Sequence, residues 1–244
     1  MSSDPVVIVG LARTPMGAFQ GAFSSVTAAD LGAAAVQAAV TESGVDKDAI
    51  EQVIMGCVLP AGQGQAPARQ AAIKAGLSKH CEATTVNKMC GSGMQAAIMA
   101  HDALKAGSID IAVAGGMENM TNAPYLLPKA RGGMRMGNQQ VVDSMMHDGL
   151  TDAYDGNAMG VFADMVAAEY QFTREAQDAY AIESVRRAKD AQDNGGFDRE
   201  VTPVTVKGRK GDTVVTADEG PANARPEKIP TLRPVFTKDG TVTA

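Results

Sequence analysis

Apolar positions along the chain fall into short unbroken runs separated by stretches with helical spacing. Val6 to Gly10 is a run of the kind a buried strand carries, and Gln52–Leu59, Ala83–Asn87 and Ile109–Ala114 read as three further strands. Helices are predicted between them. Thr27 stands where an N-cap belongs, opening a helix that runs to about Ser43, with Gly44 as its stop. A second helix spans Ala66 to Ala75 before Gly76, and a third spans Gly91 to Ala106 before Gly107. Strands alternating with helices favour βαβ units and a parallel sheet covered on both faces, an α/β fold. The third helix carries Met94, Ala96, Ala97, Ile98, Met99 and Ala100. Apolar on nearly every side, it is predicted to be buried all round.

From Met117 to Gly160 the periodicity breaks down in a stretch rich in Gly, Pro, Met and Asn. Loops of such length inside a domain are generally functional. A helix is expected from about Met159, and another after Thr173, with Glu175 favourable in its first turn and Gly195-Gly196 at its end. Val201–Val206 and Thr213–Thr216 flank Lys207-Gly208-Arg209-Lys210-Gly211-Asp212, which predicts a hairpin with a basic tip.

Composition narrows the candidate functions. Hydrophobic residues make up 45% of the 244 and charged residues 20%, the balance of a globular protein with a core. Aromatics are only 4% and tryptophan is absent, so that core must rest on aliphatics, alanine and methionine. No apolar run approaches the roughly 20 residues of a membrane span. The opening Met1-Ser2-Ser3-Asp4-Pro5 lacks the basic segment of a secretory signal. A cytoplasmic location with no membrane partner is therefore expected. The net charge of −6, without clustered Lys and Arg, argues against nucleic acid. Three cysteines, Cys57, Cys81 and Cys90, lie 24 and 9 residues apart. That spacing suits neither a disulfide framework nor a metal site, and no metal is expected.

Cys90 carries the candidate chemistry. It sits in Val86-Asn87-Lys88-Met89-Cys90-Gly91-Ser92-Gly93-Met94, between a predicted strand and a predicted helix. Unsatisfied N–H groups and the positive end of the dipole at a helix N-terminus favour a thiolate, the nucleophilic form. The same groups can stabilise the oxyanion made when a thioester is attacked. Gly91 and Gly93 are read as keeping side chains away from the sulfur. A buried, inert thiol suits the position equally well on these grounds. A general base is missing nearby: His101 lies 11 residues further along the helix, roughly 16 Å at helical rise. His80 is expected in a solvated turn and His147 within the irregular stretch.

Several segments, taken in order, resemble the thiolase family. They include Leu11-Ala12-Arg13-Thr14-Pro15-Met16-Gly17, Val86 to Gly93, and Ala114-Gly115-Gly116-Met117-Glu118-Asn119-Met120. They continue through Arg131 to Gly137, Asp148 to Tyr154, Val206 to Asp212, Leu232-Arg233-Pro234 and Gly240 to Ala244. The likeness is greatest to the acetyl-CoA acetyltransferase (acetoacetyl-CoA thiolase) branch. It implies an acyltransferase that condenses two acetyl-CoA to acetoacetyl-CoA and CoA, or cleaves in reverse, through an acyl-cysteine at Cys90. Coenzyme A thioesters would be the substrates, with no cofactor, and the intact enzyme would be a homo-oligomer, tetramer or dimer. The implied fold is the N-terminal half of a thiolase, with a parallel-rich mixed sheet covered by helices and an inserted loop domain, the C-terminal half being absent. Residues 1–120 would form the α/β half, incomplete, and residues 121–244 the loop domain, with a tetramer-forming segment within Tyr125 to Val142.

Leu150 matches a family position that contacts the pantetheine arm, and Met159 one that lines the acyl site; both also suit ordinary core positions. Ala158 departs from the histidine many biosynthetic members carry there, which bears on the shape and polarity of the acyl pocket. The family's acid/base residues lie in Gly-His-Pro and Cys-x-Gly motifs, and neither occurs in this sequence. The chain alone is therefore expected to be inactive. The alternatives are a non-catalytic CoA- or acyl-CoA-binding fragment or a subunit of a split enzyme. A carrier-protein condensing enzyme and a redox-sensing thiol are more distant readings.

Overall fold

The computed structural model describes residues 5–244. Met1 to Asp4, and with them most of the segment weighed for a targeting signal, lie outside the described residues. The centre is a parallel sheet of β1 (Gln52–Gly56), β2 (Glu82–Val86) and β3 (Ala112–Gly116) in the order β2–β1–β3. Gly56 at the end of β1 is level with Val86 on one side and Gly116 on the other. Neighbouring residues of a strand face opposite ways, and β1 is apolar at each of Val53, Ile54 and Met55. Val53 and Met55 pack with Val36 and Val40 of α1 (Ala28–Ser43) and with Ala68, Ala71 and Ala72 of α2 (Pro67–Lys74). Ile54 packs from the other side with Ala96 and Ala100 of α3 (Ser92–Ala106). The helices therefore cover both faces, as an α/β fold requires.

Local signals behave as their chemistry predicts. Thr27 Oγ1 accepts the Asp30 N–H at 3.1 Å to cap α1, and Gly44 closes it at φ 67°. Thr173 Oγ1 accepts the Ala176 N–H at the start of α5 (Arg174–Asp193). The irregular stretch resolves into β4 (Tyr125–Leu126), its antiparallel partner β5 (Val142–Asp143) and a π-helical turn over Met145–Leu150. It is followed by α4 (Met159–Glu169). The predicted hairpin is β6 (Val204–Val206) and β7 (Thr213–Val215); at its tip, exposed Lys207 pairs with Asp212 at 2.6 Å.

Two expectations are corrected. Val6 to Gly10 forms no strand. Gly10 packs so closely on α1 that a Cβ there would meet the Ala39 carbonyl, and the Leu11 N–H donates to Glu42 at 2.6 Å. These contacts draw the segment to the end of α1. The segment and β3 line one cavity of about 1000 Å³, and the segment does not pair with the outer edge of β3. Nor is α3 buried all round: Ser92, Ala96 and Ala100 are buried, whereas Met94 is 74% exposed. A sheet covers one side of a helix, and the alanines mark the side that approaches it.

The later segments are tied to the sheet unit by polar clamps. Arg13 reaches Glu200 at 2.6 Å and Asp218 at 2.7 Å, and stacks over Phe197. Val204 of the hairpin packs against Phe23 and Leu31. Farther along, the Asp164 carboxylate of α4 accepts the N–H groups of Thr241 and Val242 and the Thr237 hydroxyl. This fastens the stretch from Thr237 to Val242 to α4.

Candidate active site

All three sheet strands finish at one end, and Cys90 lies there, in the turn from β2 into α3. Ligand crevices in open α/β sheets form at the carboxyl ends of strands. The turn is held from both sides. Met89 adopts φ 49°, unusual for a side chain of its size. Its N–H donates to Asn87 Oδ1 at 2.9 Å, and its carbonyl accepts the Ser92 hydroxyl at 2.5 Å and the Ser92 N–H at 3.0 Å. Ser92 Oγ also accepts the Lys88 N–H at 2.8 Å and is itself buried. One hydroxyl thus bridges the inside of the turn and fixes the peptide that aims Cys90.

The helix start lies directly on the strand ends. A Cβ at Gly56 would come 2.5 Å from the carbonyl carbon of Ser92 and 2.6 Å from the Gly93 nitrogen. Gly93 in turn faces the Gly115–Gly116 backbone, its Cβ position 3.7 Å away. An added carbon there would make only an ordinary contact, and Gly93 lines the same cavity as Cys90. Gly91 likewise has the Lys88 carbonyl as its neighbour.

Exposure separates the cysteines. Cys57 and Cys81 are buried and Cys90 is exposed. Burial, followed by the charge of Glu118, pushes the Cys57 thiol up to about 11. Burial raises Cys81 as well. Both remain protonated at neutral pH, and a buried thiol in that state is a poor nucleophile. Cys90 opens onto the large cavity.

Cys90 and Leu150 share that cavity, which Met89, Met145 and Gly149 also line. Gly149 rests against Leu59, so the π-helical turn bearing Leu150 is braced on the loop after β1. Met159 opens α4 and does not line this cavity. It is joined to the region through the backbone bridge between Thr151 and Ala158. His101 reaches the cavity wall, where it contacts Asp102 at 3.1 Å. His80 and His147 are exposed and line neither described cavity.

Sequence reasoning passed over Gly56, Asn87, Ser92 and Glu118. Ser92 and Asn87 sit within three residues of the thiol, and both are residue types that bond to nearby backbone. Gly56 and Glu118 have no such local signal, because their partners lie far away along the chain.

The family described as "Thiolase, N-terminal domain" matches residues 6–244. The acetyl-CoA acetyltransferases of Saccharomyces pastorianus and Saccharomyces cerevisiae are each 51% identical over 99% of the chain. A probable acetyl-CoA acyltransferase of Staphylococcus aureus is 48% identical over 98%. Among solved structures, the Acat5 thiolase of Ascaris suum in complex with coenzyme A superposes with a TM-score of 0.91 at 42% identity, covering 97% of this chain and 60% of that one. The chain spans 62% of the length of the two yeast relatives and 61% of the bacterial one.

Proposed function

The chain belongs to the thiolase family, and on that premise we propose that it supplies the nucleophile of an acetyl-CoA C-acetyltransferase, with Cys90 as the acyl-accepting thiol. The observation that carries this reading is the exposed thiol on a pinned strand-to-helix turn beside a large cavity. In the first step Cys90 sulfur attacks the carbonyl carbon of acetyl-CoA. The carbon–sulfur bond to CoA breaks, CoA leaves as the thiol with the proton lost by Cys90, and an acetyl-cysteine remains. The N-terminal end of α3 favours negative charge on the transient oxyanion.

In the second step a second acetyl-CoA loses a proton from its methyl carbon, and that carbon attacks the acetyl group. Acetoacetyl-CoA forms and the Cys90 thiolate is released; thiolytic cleavage is the same path reversed. The base for this proton is expected from the remaining length that the relatives have and this sequence does not include. Leu150 is assigned to the pantetheine arm, consistent with its place in the Cys90 cavity. Met159 is assigned to the acyl site and the segment from Tyr125 to Val142 to oligomer contacts, both on family resemblance.

Intact-protein mass spectrometry tests the reading. The protein is incubated with acetyl-CoA, alone and with the C-terminal part of the Saccharomyces cerevisiae relative supplied separately. An acetyl adduct that maps to Cys90, and disappears in Cys90→Ser while the circular dichroism spectrum is retained, is the expected result. If the two parts associate and no adduct forms, or if it maps elsewhere, Cys90 is not the acyl acceptor.

A further inference from the structure

Glu118 lies just past β3 and at first sight has no business with the thiol. Its carboxylate accepts the Val58 N–H at 2.6 Å through Oε2. Through Oε1 it accepts the Leu59 N–H at 3.3 Å and the Cys57 thiol at 3.6 Å. It therefore clasps the loop that follows β1. The Val58 carbonyl then accepts Asn87 Nδ2 at 3.2 Å, and Asn87 Oδ1 accepts the Met89 N–H at 2.9 Å. One continuous series of hydrogen bonds thus crosses the ends of β3, β1 and β2 and finishes on the residue before Cys90.

We propose that Glu118 is a positioning residue for Cys90, acting through the Val58–Leu59 loop and Asn87 on the left-handed Met89 peptide. Charge-assisted bonds from backbone N–H to carboxylate are shorter and stronger than neutral ones. A carboxylate offers only acceptors, which is what the two N–H groups and the thiol require. The raised pKa of Cys57 keeps its thiol able to donate. The same loop supports Leu150 from the other side, because Leu59 is the surface on which Gly149 rests. Glu118 therefore sets the spacing between the thiol and the opposite cavity wall. The catalytic consequence rests on Cys90 being the acyl acceptor; the structural coupling does not.

Two measurements on the full chain separate these points. Amide hydrogen exchange is followed at Met89 in wild type, Glu118→Gln and Asn87→Ala. Glu118→Gln is expected to speed exchange at the Met89 N–H about tenfold, although Glu118 does not touch it, while protection in β1 and α1 is retained. Acetylation of Cys90 by acetyl-CoA is then timed by mass spectrometry, with the second part present if the wild type requires it. The saturating rate is expected to fall on the order of tenfold to a hundredfold in each variant, since small displacements of a reacting atom cost that much. The rate of Cys90 alkylation by iodoacetamide should stay within about twofold, as alkylation demands little orientation. The double variant should be no slower than the worse single one, because both act along one path.

Unchanged Met89 exchange in a folded Glu118→Gln protein overturns the proposal. So do additive effects, or alkylation that falls in step with acetylation. If wild-type Cys90 is never acetylated, the catalytic reading fails while the exchange result still decides whether Glu118 holds the turn.

Discussion

Gly56→Ala is the most demanding test of how the sheet places the thiol. The added carbon would stand 2.5 Å from the Ser92 carbonyl carbon, 2.6 Å from the Gly93 nitrogen and 2.7 Å from Ser92 Cβ. Unstrained carbon contacts lie at ~3.5–4.0 Å, so α3 would have to retreat from β1 by about 1 Å. Neither side yields readily: β1 is paired along both edges, and the helix start is fixed through Ser92. Overpacking of this kind costs about 1–3 kcal/mol. Gly56 has no positive φ, so alanine also removes unfolded-state freedom, a gain of about 0.4–1 kcal/mol.

The net loss is then between about 0 and 2.6 kcal/mol, a fall of up to roughly 10 °C in melting temperature for a chain of this size. Cys90 moves with the helix start, and a displacement of about 1 Å costs on the order of a hundredfold in reaction rate. Calorimetry and the rate of Cys90 acetylation measure the two effects. Gly115→Ala is the control. The nearest atom to its new carbon is the flexible Met55 sulfur at 3.5 Å, so its stability should change by no more than about 0.5 kcal/mol. Wild-type melting and acetylation in Gly56→Ala, or equal damage from Gly115→Ala, would refute the argument.

Iodoacetamide at neutral pH should label Cys90 alone, with Cys57 and Cys81 reacting only after denaturant is added; peptide mapping reads the sites. The Cys57 thiol is raised to about 11 from about 8.5 in the unfolded chain. Its contribution to stability is therefore full below the lower value and lost as pH climbs toward the upper one. Melting temperature should fall across that window, and Cys57→Ser should make the fall shallower. For Asp164, burial raises the carboxyl, but bonds from the Val242 N–H, the Thr237 hydroxyl and the Thr241 N–H outweigh it, and the net shift is downward. Its stabilisation is present above the ordinary value of about 3.9 and lost as pH drops below it. Asp164→Ala should cost about 1–3 kcal/mol, and limited proteolysis should then cut within residues 234–243, which resist in wild type.

Elements whose causes are local were legible along the chain. Thr27 and Thr173 cap because their hydroxyls reach an N–H three residues on. Gly44 and Gly107 end helices because they accept positive φ, and the apolar run of β1 had to be buried on both faces. The turn bearing Cys90 was legible too, since a strand, a short linker and a helix start follow one another directly. Features that depend on distant partners were not. Val6 to Gly10 has the composition of a strand, yet it packs on the end of α1 and pairs with no strand. The apolar sides of α3 looked alike in sequence; only the position of the sheet chose Ala96 and Ala100 over Met94 and Ile98. Glu118 acts on a loop about 60 residues earlier in the chain, and Gly56 matters through a helix that begins at Ser92. Spacing along a chain cannot report contacts made across the ends of three strands, and the geometry around Cys90 is built from such contacts.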